Sequence, residues 1–139
     1  RYVPKSYVSM AAHWGFNNRT VALRIPRSNG TATRIEHRVA GADANPYLVI
    51  ASILAGMRHG MTNSIDPGPA VVGDSDEIEA PPLPTAWVNS LDLFQRSEVV
   101  REAFGAPFQA VFSSLKQAER GNFERIVSPL DYLWYSRVA

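Results

Sequence analysis

Two runs of period two on either side of an Asn-Gly pair constrain this chain more than any other feature. Val21, Leu23 and Ile25 alternate with Ala22 and Arg24, and Ile35, His37 and Val39 alternate with Arg34, Glu36 and Arg38. Successive side chains of a strand leave opposite faces, so this alternation predicts two strands. The segment between them, Arg27 to Thr33, contains Asn29-Gly30, a strong short turn signal. A hairpin or close antiparallel pair is expected. Arg34, Glu36 and Arg38 then share one face. Arg24 joins them if even-numbered residues pair with even-numbered ones.

The rest of the chain alternates loops with helical patterns. Residues 1–16 have no clean period and are expected to be loop with a short extended piece. Asn45-Pro46 opens a helix, with Asn as cap and Pro at a position whose N–H would be unpaired anyway. Tyr47 to Met57 is almost wholly apolar, which predicts a buried helix that Gly60 ends. Residues 64–84 carry five prolines among Gly, Asp and Glu and are expected to form a long surface loop, its Asp74–Glu77 run solvated. Helical spacing returns at Thr85 with Trp87, Leu91 and Phe94, then Val99, Val100 and Phe104. It breaks at Gly105-Ala106-Pro107 and resumes from Phe108 to about Arg120. Ser128-Pro129 starts a last helix. The expected architecture is α+β: a short antiparallel sheet with helices packed on one side. It forms a single segment, 1–139, with strands and buried helix in 1–60, loop in 61–84 and helices in 85–139.

Composition narrows the chemistry. There is no cysteine, which excludes disulfides, zinc-thiolate sites and thiol nucleophiles and permits a cytoplasmic home. The uncharged stretch Asn45 to Met57 is too short to span a bilayer. The net charge of +1 hides an asymmetry. Residues 1–60 hold eight Lys/Arg against two Asp/Glu, and residues 61–139 hold six against eleven. That balance points to a local anion site, with neither nucleic acid nor membrane as partner. Arg1 stands where an initiator Met would, so a piece of a longer polypeptide is expected.

Five arginines lie between Arg19 and Arg38, with Glu36 the one carboxylate among them. An exposed face of ion pairs would contribute little, about 0–1 kcal/mol per pair. One Glu cannot neutralise so many guanidinium groups, which favours a site for phosphate or carboxylate. A carboxylate in such a cluster keeps its charge. Glu36 is therefore a candidate ligand for Mg²⁺ or Mn²⁺.

The run Asn18-Arg19-Thr20 through Arg24-Ile25-Pro26, then Arg34-Ile35-Glu36-His37-Arg38, then Asn45-Pro46-Tyr47-Leu48, resembles the glutamine synthetase family in order and spacing. The match is strong over residues 1–60 and looser beyond, and the chain resembles the C-terminal third of such an enzyme. The resemblance implies an ATP-dependent ligase that makes γ-glutamyl phosphate and passes the glutamyl group to an amine. Arg19 resembles the arginine that holds the glutamate γ-carboxylate, and Arg38 one that binds the γ-phosphoryl group and the reacting carboxylate. Arg24 and Arg34 resemble the ATP-binding arginines, and Glu36 a metal-ligating glutamate. ATP, a divalent ion, glutamate, an amine and self-association into a ring are thereby implied. The family's other metal ligands lie upstream, so the 139 residues alone are expected to be inactive. A non-catalytic scaffold or phosphate-binding module is the alternative.

One departure bears on the amine. The family's loop beginning Arg-x-Val-Pro carries a glutamate where this sequence has Tyr7. That implies a larger organic amine, as in the γ-glutamylputrescine synthetase branch, which the runs His13–Asn18 and His37–Asp43 also resemble. Tyr7 is accordingly a candidate substrate-binding residue. Among the histidines, His37 lies on the face opposite Glu36 and is expected to be structural. His59 is placed to bond terminal helix carbonyls, and His13 is a weaker candidate for the amine site.

Overall fold

The computed structural model describes residues 9–136, which fall into two compact units divided after Thr85. The first unit holds a three-stranded sheet in the order β1-β2-β3, with β1 Trp14–Phe16, β2 Leu23–Ile25 and β3 Glu36–His37. The expected hairpin is present. β2 and β3 are antiparallel, with Leu23 opposite His37 and Arg24 opposite Glu36, so even residues pair with even. The sheet as a whole is mixed, because β1 runs parallel to β2, pairing Trp14 with Leu23 and Phe16 with Ile25. β1 is the short extended piece expected within residues 1–16, although three residues show no alternation that marks it as a paired strand.

The small core of this unit lies where the strands meet the loop that follows the first helix. Val21 is fully buried, and Ala22 and Val71 nearly so. The loop expected to be merely a surface feature is pinned to the sheet. Val71 N–H donates to Trp14 O at 2.9 Å, the Trp14 indole to Gly68 O at 3.0 Å, and Ser75 Oγ to Thr20 O at 2.5 Å. Asn18 is the central fastening. Its Nδ2 donates to Val71 O and Gly73 O, and its Oδ1 accepts from Thr20 N–H. Gly15 packs so closely beneath the loop that a Cβ would lie 2.8 Å from Val71 O. Within the Asp74–Glu77 run the carboxylates are exposed, whereas Ser75 is buried.

Helix α1, Pro46–Thr62, begins as expected. Asn45 caps it, its side chain accepting from Tyr47 N–H and Leu48 N–H, and Pro46 sits in the first turn. Two expectations fail there. Gly60 does not stop the helix, which ends at Asn63, whose N–H bonds His59 O and Met61 O. The helix is also not buried: none of its residues is, and Tyr47, Ile50, Leu54 and Met61 are all exposed. A helix apolar on every face calls for cover, and no described element supplies it.

The second unit is helical: α2 Trp87–Arg96, α3 Glu98–Phe104, α4 Ala106–Glu124 and α5 Pro129–Tyr135. Ser97 caps α3, and Gly105 takes φ 82° between α3 and α4, a left-handed value that suits glycine. α4 packs on α2 and α3 through aromatic pairs, Phe94 with Phe112 at 5.0 Å and Phe104 with Phe108 at 5.2 Å, while Phe108 and Phe112 stack within α4 itself. Ser128 and Asp131 form a reciprocal capping box at the start of α5. No helix among the described residues is long and apolar enough to cross a membrane.

Candidate active site

The strand pairing builds the site. Because Arg24 lies opposite Glu36, and Arg34 two residues before Glu36, three charged side chains converge on one face. Arg24 Nη1 donates to Glu36 Oε2 at 2.8 Å, and Arg34 Nη2 to Glu36 Oε1 at 3.1 Å. Arg24 also donates through Nη2 to Asn17 Oδ1 at 2.7 Å, which fixes its fork in place. The side chains differ in access: Arg24 is 17% exposed, Glu36 30% and Arg34 59%. Arg24 is therefore the enclosed member and Arg34 the solvent-facing one.

Arg38 and Arg19 lie beside this trio. Arg38 follows β3, and its N–H donates to Ala22 O at 2.9 Å. Its Nη1 donates to the backbone carbonyl of Arg19, so the Arg38 guanidinium is held against the Arg19 peptide. The Arg19 side chain itself is exposed. Four of the sequence-derived residues and Glu36 thus belong to one strand pair and its flanks. Tyr7 lies outside the described residues.

Electrostatics follow from the geometry. The Arg24 hydrogen bond, reinforced by its charge and by Arg34, holds the Glu36 carboxyl below its ordinary value, against a smaller desolvation effect. Glu36 stays ionised. Arg19, Arg24, Arg34 and Arg38 against Glu36 leave a surplus of three positive charges, which fits an anion bearing several negative charges, such as a polyphosphate. A metal ion fits these residues less well. No group of three or more His, Asp or Glu side chains suited to a metal occurs among the described residues. Glu36 stands alone, both its oxygens are paired with guanidinium groups, and Mg²⁺ takes about six ligands.

The structure also shows what the sequence reading missed. Asn17 orients Arg24, and Asn18 ties the site's strand to the loop; both lie in the Asn-Asn-Arg run beside Arg19, the signal that could have marked them. His13 is buried, with both ring nitrogens unpartnered. His37 is exposed on the side away from Glu36. The His59 ring meets the Asn63 carboxamide at 3.3 Å, where a terminal carbonyl was expected.

Comparison with known proteins identifies the domain. Residues 1–135 match the glutamine synthetase catalytic domain. The chain is 42% identical over 134 residues to the gamma-glutamylputrescine synthetase PuuA of Escherichia coli strain K12, covering 96% of this chain and 28% of that protein. It is 35% identical over 114 residues to a glutamate–isopropylamine ligase of a Pseudomonas species, covering 80% of this chain and 25% of the relative. The ligand-free apo GmaS structure shares the fold with a TM-score of 0.80 and 28% identity, over 94% of this chain and 31% of that one. The chain thus spans between a quarter and a third of these relatives. With α+β architecture, the expected hairpin and a domain match over nearly its whole length, the chain belongs to the glutamine synthetase family, within its catalytic domain.

Proposed function

We propose that the protein carrying this chain is an ATP-dependent glutamate–amine ligase that uses an organic amine in preference to ammonia. The observation that carries the ligase reading is the Arg24–Glu36–Arg34 cluster, aligned by the β2–β3 register inside a domain of this family. In the proposed reaction the glutamate γ-carboxylate attacks the γ-phosphorus of ATP, giving γ-glutamyl phosphate and ADP. The amine nitrogen then attacks the acyl carbon, the carbon–oxygen bond to phosphate breaks, and the amine gives up a proton. Phosphoryl transfer is mainly positioning and charge neutralisation. Arg24 and Arg34 take the ATP phosphates, and Arg19 and Arg38 the reacting carboxylate and the transferred group. Glu36 would be one ligand of a divalent ion once an oxygen is released from an arginine partner, with the other ligands coming from outside this set. The 139 residues alone are inactive on this reading, and the active sites belong to a self-associated ring.

Tyr7 supports the choice of amine. Ammonium is drawn in and deprotonated by a nearby carboxylate before it can attack. Tyr is neutral, and its ring suits methylenes and a cationic amine end. The names of the two similar ligases, acting on putrescine and isopropylamine, point the same way. The test is phosphate release by the complete protein with glutamate, ATP and a panel of amines. The best amine should exceed ammonium in kcat/KM by about tenfold or more, roughly 1.4 kcal/mol. Tyr7→Glu should move the preference back toward ammonium. Ammonium as best substrate would overturn the amine reading, and phosphate binding without any phosphate release would favour the scaffold alternative.

A further inference from the structure

The chain has seven asparagines, and the structure leaves one of them unrestrained. Asn17 is engaged by Arg24, Asn18 by Thr20, Val71 and Gly73, Asn45 by the first amides of α1, and Asn63 by His59. Asn45 is also followed by Pro46, whose nitrogen carries no hydrogen. Asn89 and Asn122 lie inside α2 and α4, where the next backbone N–H belongs to the helix ladder, as Ser90 N–H does to Ala86 O at 3.1 Å. Asn29 shares none of these restraints. It is exposed in the turn between β2 and β3, and among the described residues no group bonds its carboxamide or the Gly30 N–H. The turn is held from its far side instead. The Ser28 and Thr33 hydroxyls lie 3.1 Å apart, and Thr33 Oγ1 donates to Gly30 O at 3.3 Å. Gly30 takes φ 94°, and a Cβ there would meet nothing within 4 Å. No side chain therefore shields the Gly30 nitrogen.

We propose that Asn29 is a site of spontaneous modification, at which the Gly30 nitrogen closes on the Asn29 carboxamide. The Gly30 amide gives its proton to solvent base and attacks Asn29 Cγ. The Cγ–Nδ2 bond breaks, the nitrogen takes up a proton and leaves as ammonia, and a five-membered succinimide remains. Water then opens the ring. Attack at Cγ gives aspartate, and attack at the backbone carbonyl carbon gives isoaspartate. One water is consumed and one ammonia released, with no oxidant, reductant or enzyme. Either product sets a carboxylate between Arg27 and Arg34 and takes the net charge of the chain from +1 to zero. Isoaspartate also lengthens the connection by one backbone atom, in the turn that joins the strands pairing Arg24 with Glu36.

The experiment holds the complete protein in warm, mildly alkaline buffer and follows its tryptic peptides by mass spectrometry. Cleavage after Arg27 and Arg34 isolates residues 28–34, in which Asn29 is the one asparagine. This peptide should gain the mass of a carboxamide-to-carboxylate exchange at least about tenfold faster than any other asparagine-bearing peptide. It should resolve into two products of equal mass, one of them isoaspartate by fragmentation. Asn29→Gln should remove the matching acidic shift in ion exchange, and Gly30→Ala should slow it by about tenfold. Unfolding in urea should speed the reaction at Asn63, which the fold restrains, and change the rate at Asn29 by no more than about twofold. The proposal is overturned if the 28–34 peptide keeps its mass, if aspartate forms there without isoaspartate, if Gly30→Ala leaves the rate unchanged, or if unfolding speeds Asn29 more than Asn63.

Discussion

Each of the two units has its own kind of internal fastening. In the first, the strands that carry Arg24 and Glu36 are fastened to a distant loop by directed hydrogen bonds, Trp14 and Asn18 donating to Gly68 and Gly73 and Ser75 donating to Thr20, around three well-buried apolar residues. In the second, Leu91 is the one well-buried apolar side chain among the described residues, and stacked phenylalanines join α4 to α2 and α3. Directed bonds fix a position to a few tenths of an ångström, which a charge cluster needs to register one carboxylate between two guanidiniums. Ring packing lacks that directionality and suits a unit whose task is to hold helices side by side.

The largest effect that could sharpen this contrast is on catalysis. Glu36→Gln should lower turnover of the complete protein by about a hundredfold or more, with little change in melting temperature, because Glu36 is partly exposed. A large drop in stability with activity intact would make the cluster a structural device. Next come the fasteners. Asn18→Ala removes bonds to two carbonyls and one amide, and should cost about 2 kcal/mol. Gln109→Leu strands two carbonyls yet keeps the apolar packing, and should cost about 1 kcal/mol. Urea unfolding of both variants compares the units directly, and a costlier Gln109 change would break the contrast.

The smallest effect is the response to acid. Glu36 is held low by Arg24 and Arg34, and Asp131 by the Ser128 N–H and hydroxyl. A depressed carboxyl contributes its stability fully above the unfolded-state value, about 4 for either residue, and loses it as the pH falls through the folded one. Stability should therefore be flat in these terms above about pH 5 and decline below. Glu36→Gln and Asp131→Asn should each flatten part of that decline, which pH-dependent unfolding measures. An unchanged acid limb in both variants would mean that neither pairing matters.

Much of this was legible from local chemistry. Asn29-Gly30 and the alternation beside it marked β2 and β3 as an antiparallel pair and put Arg34, Glu36 and Arg38 on one face, while the even-with-even register that brings Arg24 to Glu36 needed the structure. Asn45-Pro46 and Ser128-Pro129 marked two helix starts, because capping is decided within four residues. What escaped depends on partners far along the chain. β1 is a strand because Leu23–Ile25 and Val71 flank it, and nothing in Trp14-Gly15-Phe16 announces that. The bonds from Asn18 to Val71 and Gly73 bridge more than fifty residues. The apolar run in α1 predicts burial, whereas burial requires a second surface to meet it.

The fastening of Val71 to Trp14 has a consequence for solubility. Among the described residues β1 is an outer strand, and an outer strand with open amides and carbonyls is a template on which another chain can pair and aggregate. Val71 occupies part of that edge, and Pro67 and Pro69 just before it have no N–H to offer a further strand. The segment thus seals the sheet without presenting a fresh edge of its own. A protease cut or an insertion between Gly68 and Gly73 would uncover Trp14–Phe16, and its first symptom would be sticky, sheet-rich association of copies before any loss of the helices.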